Sequence, residues 1–154
     1  MNQLAPLLNA RRILLDIELP SKSRLFEYVA QHMSSELGIN AKVIVDALQA
    51  RESLGSTGLG QGVAIPHGRL KALQSAAGVL VRVRTAVDFA APDQSPIRLL
   101  FVLFVPLRAT DLHLQILSEV AQLFGDKTMR EKLLDSVNPE QILALLQHWQ
   151  AWSE

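Results

Sequence analysis

The feature that most constrains the fold is an uninterrupted apolar run from Leu99 to Val105, rich in Val and Phe and followed by Pro106. A half-buried strand alternates apolar and polar side chains, whereas a strand covered on both faces is apolar throughout. At about eight residues with its proline, the run is far shorter than the ~20 residues that span a bilayer. We therefore predict a central β-strand in a sheet that carries helices on both faces.

Two further segments predict strands of other kinds. Residues 13–19 place apolar side chains at the odd positions and Asp16 and Glu18 between them, which is the period-two pattern of a half-buried strand. Residues 63–65 form a short apolar segment that ends at Pro66. We expect this segment to be a short buried strand.

A third strand is predicted over residues 79–84. Three valines there alternate with Leu80, Arg82 and Arg84. One face of this strand is therefore apolar and the other more polar. That pattern suits a strand at the edge of a sheet or one that is only partly covered.

Helix signals occupy much of the remaining chain. Ser21 or Ser23 can cap a helix that Gly38 ends, and Asn40 can cap a second helix that runs to about Arg51. Three more helices are predicted after the apolar run, over residues 111–124, 127–134 and 139–149, the last with Asn138 and Gln141 spaced as in a capping box.

Strands and helices are therefore interleaved along a chain of 154 residues, a length typical of one domain. We predict an α/β single-domain sandwich over residues 1–154, with a mixed β-sheet of about five strands and helices on both faces.

Composition excludes several classes of function. The chain has no cysteine, which rules out thiolate catalysis and cysteine zinc sites. Fifteen basic residues balance fifteen acidic ones, so no overall field favours nucleic acid or an anionic membrane. The first residues lack a basic stretch leading into a long apolar run, which favours a cytoplasmic protein.

Residues 55–62 contain four glycines, which predicts a loop. The spacing is not that of a nucleotide-binding P-loop, because Gln61 and Gly62 stand where lysine and a hydroxyl residue are required. The backbone amides of such a loop can form a nest that binds an anion. The predicted phosphate-binding residues are Ser56, Thr57, Gly58 and, beyond the loop, Gly68.

His67 lies between Pro66 and Gly68, at the end of the short strand predicted over residues 63–65. It is either a loop histidine that caps a backbone group or a reactive group presented beside the glycine-rich loop. A neutral imidazole nitrogen is well suited to accept and release a phosphoryl group near neutral pH.

Arg51 and His113 each have two interpretations. Arg51 is either an exposed arginine at a helix end or a guanidinium fork for phosphoryl oxygens. His113 shares a helical stripe with Leu117 and Val120, so it is either a core histidine or a donor in the first turn of the helix. His32 and His148 are expected at the surface. Zinc binding by His67 and His113 lacks any supporting spacing, so we predict no metal and no cofactor.

Residues 51–68, which read RESLGSTGLGQGVAIPHG, resemble the signature of enzyme IIA domains of the fructose/mannitol type, from the bacterial phosphoenolpyruvate-dependent phosphotransferase system. Residues 100–117 also resemble that family, and the similarity covers nearly the whole chain. The resemblance is strongest to its nitrogen-regulatory branch. It implies a phosphocarrier that is phosphorylated on His67 as tele-phosphohistidine, with Arg51 and His113 lining the same site.

The resemblance also implies partners. The donor would be an HPr-like (NPr) phosphocarrier protein, and the phosphorylated form would act on regulatory targets in nitrogen- or potassium-related signalling. One alternative is a sugar-specific enzyme IIA that passes phosphate to a permease IIB component. Another is a docking module of the same fold that is not phosphorylated. None of these functions involves nucleic acid or insertion into a membrane.

Overall fold

Within residues 2–108 and 110–150, the part of the chain that the computed structural model describes, six strands form one sheet. They are β1 (Ile13–Ile17), β2 (Gly58–Gly60), β3 (Val63–Ala64), β4 (His67–Leu70), β5 (Ala77–Val87) and β6 (Ile97–Pro106). The order is β1-β5-β6-β3-β2, and β4 also pairs with β6. Parallel and antiparallel pairs occur together, which confirms the predicted mixed sheet.

The described helices are α1 (Lys22–Leu37), α2 (Ala41–Glu52), α3 (Thr110–Gly125), α4 (Lys127–Asp135) and α5 (Pro139–His148). Short 3-10 turns precede β1 at Ala5–Leu7 and Ala10–Arg12. The predicted caps are present: Ser21 and Asn40 accept backbone N–H bonds, and Gly38 ends α1 with a left-handed φ of 68°.

The predicted capping box at the start of α5 is only half formed. Asn138 accepts the backbone N–H of Gln141 at 2.9 Å. The Gln141 side chain accepts the N–H of Val137 at 2.8 Å, one residue earlier than a capping box requires.

Strand β6 has the position that its apolar run predicts. Its residues from Leu99 to Val105 are at most 1% exposed. Leu100, Val102 and Phe104 pack with the apolar faces of α1 and α2. The alternate residues of β6, such as Phe101, pack with α3, α4 and α5 on the opposite face. The sheet is therefore covered by helices on both sides, as predicted.

The prediction that residues 79–84 form an edge or partly covered strand is wrong. Strand β5 lies between β1 and β6, and Arg82 is only 4% exposed. Its guanidinium contacts both carboxylate oxygens of Asp16 at 3.1 Å and donates to carbonyls near the end of α4. These partners offset the cost of burying the charge, so an arginine occupies a strand covered on both faces.

The region around Pro66 also differs from expectation. Gly58–Gly60, predicted as part of a loop, form β2, and a further strand, β4, begins at His67. Strands β3 and β4 follow one another along the same edge of β6, with Val63 opposite Leu99 and His67 opposite Leu103. Pro66 lies at the break between them, and its carbonyl accepts the N–H of Leu103 at 2.9 Å.

None of the helices in residues 2–108 and 110–150 is both long enough and apolar enough to cross a membrane.

Candidate functional site

The local backbone fixes the orientation of the His67 ring. His67 is the first residue of β4, and its Nδ1 lies 2.8 Å from the carbonyl oxygen of Ile65. Because a carbonyl oxygen can only accept a hydrogen bond, Nδ1 must carry the proton. The lone pair of the neutral ring is therefore on Nε2. The half-buried ring lines two shallow depressions on the surface.

His113 lies directly against His67. The two ring centroids are 5.1 Å apart, and the ring planes meet at 69°. His113 is 8% exposed. Among the side chains that the structure describes, its Nε2 is the one buried polar atom with no hydrogen-bond partner. An unpartnered buried nitrogen is costly, and one beside a second imidazole is a candidate group for binding a ligand.

Both imidazoles are held in the neutral form. Burial lowers the pKa of His67, the positive charges of Arg51 and Arg69 lower it further, and its hydrogen bond to Ile65 and the negative charge of Glu52 oppose that shift. Burial also lowers the pKa of His113, with additional contributions from His67 and Arg69. Two adjacent neutral imidazoles are consequently the dominant form near neutral pH.

Arg51 reaches the same site from the last turn of α2. Its Nη1 donates to the carbonyl oxygen of Gly55 at 2.9 Å, and its side chain lines both depressions beside His67. The predicted constellation of Arg51, His67 and His113 is therefore brought together by three separate elements, α2, β4 and α3.

Gly68 explains how α2 comes so close to β4. A Cβ atom at this position would lie 3.0 Å from the Cβ of Ala47 and 3.1 Å from its backbone carbon. Any larger residue would push α2 away from the strand and carry Arg51 with it. The structure thus supplies a packing reason for this glycine, and its role in binding phosphate stays a prediction.

The hydroxyls of Ser56 and Thr57 and the N–H groups of Thr57 and Gly58 are already engaged in hydrogen bonds. The Ser56 hydroxyl donates to the carbonyl oxygen of Phe89 at 2.7 Å, and the N–H of Gly58 donates to the Ser56 hydroxyl at 3.1 Å. The N–H and hydroxyl of Thr57 both donate to Glu52. Phosphate binding by Ser56, Thr57 and Gly58 therefore stays a prediction, and it requires these bonds to be exchanged.

Sequence reasoning missed two charged residues at the site. Arg69 lies two positions after His67 in β4, so their side chains share one face, and Arg69 donates to the carbonyl oxygen of Leu107 at 2.7 Å. Predicting β4 would have revealed this pairing. Glu52 follows Arg51 and is bonded to Thr57 and Lys22. Only the position of Glu52 next to an arginine at a helix end could have suggested that Glu52 belongs to the site.

The other two histidines lie elsewhere. A ring nitrogen of half-buried His32 bonds to the carbonyl of Arg11, and exposed His148 bonds within α5 to the carbonyl of Ala144. Among the described residues, no group of three or more His, Cys, Asp or Glu side chains is arranged to hold a metal ion.

An apolar rim surrounds the site. Leu54, Leu59 and Leu114 line the two depressions beside His67 and are 82%, 47% and 66% exposed. Exposed leucines grouped around a polar centre are typical of a surface that contacts another protein.

Comparisons with known proteins point to one family. Residues 6–149 match the model of the phosphoenolpyruvate-dependent sugar phosphotransferase system, EIIA 2. A nitrogen regulatory protein from Klebsiella oxytoca is 36% identical over 145 residues, covering 94% of this chain and 90% of that protein.

Solved structures agree with that match. The nitrogen regulatory protein IIA-Ntr from Neisseria meningitidis superimposes with a TM-score of 0.89 at 43% identity, covering 93% of this chain and 98% of the other. The Escherichia coli complex of enzyme IIA for mannitol with phosphorylated enzyme IIB contains a chain that superimposes with a TM-score of 0.76 at 21% identity. The match covers 91% of this chain and 96% of the other, and at this identity it shows a shared fold alone.

Proposed function

Since the chain belongs to the EIIA 2 family of the phosphoenolpyruvate-dependent sugar phosphotransferase system, and is therefore a phosphotransferase component, we propose that Nε2 of His67 accepts a phosphoryl group. The donor is an HPr-like (NPr) carrier protein phosphorylated on its own histidine. Residues 1–154 act as one enzyme IIA-like domain in the cytoplasm.

The observation that carries this proposal is the hydrogen bond between Nδ1 of His67 and the carbonyl of Ile65. It places the proton on Nδ1 and the lone pair on Nε2 before the donor arrives. In the transfer, the Nε2 lone pair forms a bond to phosphorus while the nitrogen–phosphorus bond of the donor breaks, and the donor imidazole keeps that electron pair. The Ile65 carbonyl can stabilise the positive charge that the attacking ring gains.

The side chains next to His67 can stabilise the negative charge of the transferred phosphoryl group. Phosphoryl transfer depends mainly on positioning and on stabilising the negative phosphoryl oxygens. The Arg51 guanidinium can hold two of these oxygens, and Nε2 of His113, which lacks a protein partner, can donate to one when it is protonated. Neither residue is the acceptor.

A regulatory role is favoured over sugar transport. The relatives at 36% and 43% identity are named nitrogen regulatory proteins, whereas the mannitol enzyme is 21% identical. We place the chain in nitrogen- or potassium-related signalling, in which the phosphate at His67 alters the contacts made by the leucine rim. A dianion added to a protein with formal charge zero strongly changes the electrostatic potential of the surface around His67.

The alternative is a sugar-specific enzyme IIA that uses the same site. In that case the phosphate would pass from His67 to a permease IIB component, and the leucine rim would contact that protein. A non-phosphorylated docking module is the less favoured possibility, because it would have no need for an unpartnered His113 beside His67.

One incubation separates these possibilities. The protein is mixed with phosphoenolpyruvate, the first enzyme of the phosphotransferase system and its carrier protein, and its intact mass is measured. We expect one phosphate, stable in alkali and labile in acid, and none on His67→Ala. No phosphate on the wild type would favour the docking module.

A second step distinguishes regulation from sugar transport. The phosphorylated protein is isolated and mixed with sugar-specific IIB components of the fructose and mannitol types. We expect the phosphate to remain on His67. Rapid transfer to one IIB component would identify a sugar-specific enzyme IIA.

A further inference from the structure

The carboxylate of Glu52 is buried at the edge of the site and has no part in the transfer described above. Its side chain is 7% exposed, and it accepts three hydrogen bonds. One comes from Nζ of Lys22 at 2.9 Å, and two come from Thr57, from its N–H at 3.0 Å and its hydroxyl at 2.6 Å. A buried carboxylate needs such partners, so Glu52 fixes the position of Thr57 firmly.

The hydrogen bonds continue from Thr57 to the acceptor ring. The carbonyl of Thr57 accepts the N–H of Ile65 at 3.0 Å. The carbonyl of Ile65 in turn accepts Nδ1–H of His67 at 2.8 Å. A continuous path of hydrogen bonds thus runs from the end of α2, through the glycine-rich segment, to the ring nitrogen that holds the proton.

We propose that Glu52 is a positioning residue for His67: through Thr57 and Ile65 it holds the ring with its proton on Nδ1 and Nε2 open to the donor. This inference rests on the proposed function, because it assigns how the same acceptor is oriented. Glu52 does not touch the phosphoryl group.

A purely structural ion pair with Lys22 would not need this arrangement. Lys22 has other contacts, with the carbonyl and the ring of Phe89, so it does not depend on Glu52 alone. Two of the three bonds to the carboxylate come instead from Thr57, in the segment that leads to Ile65. The negative charge of Glu52 also acts to raise the pKa of His67, against the effect of Arg51, which places it within electrostatic reach of the ring.

The test compares Glu52→Gln with Glu36→Gln. Glu36 is a matched control, because it is also a partly buried carboxylate with partners, Arg12 and Asn9, but has no contact with the site. Nitrogen-15 NMR of the His67 ring gives the ratio of the two neutral tautomers. We expect that ratio, Nδ1–H over Nε2–H, to fall by about 3- to 10-fold in Glu52→Gln and to stay at the wild-type value in Glu36→Gln.

The same variants are then phosphorylated through the carrier protein. We expect Glu52→Gln to accept phosphate about 10-fold more slowly, because the ring is less well oriented. We also expect its pH profile to shift to lower pH, because the neighbouring negative charge is lost. A merely structural role would lower stability without changing the tautomer ratio.

The outcomes separate the two proposals. A folded Glu52→Gln protein with the wild-type tautomer ratio and rate would overturn the positioning role. Failure of the wild type to accept phosphate would overturn the proposed function, and the tautomer ratio would still decide the role of Glu52. If Glu52→Gln does not fold, Thr57→Val takes its place in the same measurements. This variant removes one of the two hydrogen bonds between Thr57 and Glu52 with little change in shape. An unchanged tautomer ratio in Thr57→Val would show that the hydrogen-bond path does not orient His67.

Discussion

The polar cluster around Arg82 and the polar cluster around His67 differ in how fully their hydrogen bonds are satisfied. Arg82 binds Asp16 through both carboxylate oxygens and also donates to the carbonyls of Leu133, Leu134 and Ser136. At the other cluster, Nε2 of His113 has no partner and His67 bonds through Nδ1. The saturated cluster stabilises the fold, whereas the open one keeps groups available for a ligand.

The largest expected effect on the open cluster comes from Arg51→Lys. Lysine keeps the positive charge but cannot hold two phosphoryl oxygens in a fork. We expect phosphate acceptance to slow by ~10- to 1000-fold, a loss of roughly 1.4 to 4 kcal/mol in transition-state stabilisation, with unchanged stability. Rapid-quench labelling measures the rate, and Arg84→Lys, an exposed arginine of β5, is the control. Equal rates for Arg51→Lys and the wild type would show that Arg51 is only an arginine at a helix end.

Arg82→Met gives the opposite pattern at the saturated cluster. The change leaves three carbonyls without their donor and Asp16 without its partner, although Asp16 is half exposed and can be hydrated. We expect a loss of about 3 kcal/mol in the free energy of unfolding, measured by denaturant titration. The folded variant should accept phosphate at the wild-type rate. A slower rate with unchanged stability would reverse the comparison.

The sequence predicted the apolar β6 and the helix caps well, because these depend on local patterns around residues such as Ser21 and Asn40. It predicted a strand at residues 79–84 but not that both faces of this strand are covered, because the partners of Arg82 lie in β1 and around the end of α4, far away in the chain. Strand β4 was missed because it is four residues long and contains a glycine.

The site could be predicted only in part, because some of its contacts join residues that are far apart in the chain. Three residues, Arg51, His67 and His113, could be found through their segments and the family resemblance. The bond from His67 to Ile65 could not, because it depends on how the backbone turns at Pro66. The contacts of Glu52 join residues from α1 and from the glycine-rich segment, which no local pattern reveals.

His113→Ala should have a smaller effect than Arg51→Lys. We expect His67 still to be phosphorylated, with onward transfer at least ~10-fold slower, a loss of about 1.4 kcal/mol. In the wild type, the pKa of His113 should rise when His67 carries the phosphate dianion, which NMR titration can follow. His148→Ala, at an exposed position of α5, is the control. Normal transfer and an unresponsive pKa would make His113 a core residue.

The smallest effect concerns the dependence of stability on pH. The folded state lowers the pKa of both His67 and His113 below 6.5, so the unfolded chain binds more protons between that value and the folded pKa values. Stability is therefore fully present above about pH 6.5 and is lost as the pH falls through this window. Because the charge of Arg69 lowers the pKa of both histidines, Arg69→Gln should raise both pKa values and reduce this loss of stability. Denaturant titrations from about pH 7.5 to 5.5 test this, with the double alanine variant of the two histidines as the reference. A loss of equal size in that reference would contradict the prediction.

The most direct test of the central claim identifies the phosphorylated atom. The protein is labelled with nitrogen-15 in its histidine rings, phosphorylated through the carrier chain and studied by NMR. We predict that phosphorus is bonded to Nε2 of His67, with the proton retained on Nδ1 and facing Ile65. Phosphate on Nδ1 of His67, on His113, or on a serine or threonine would contradict the account.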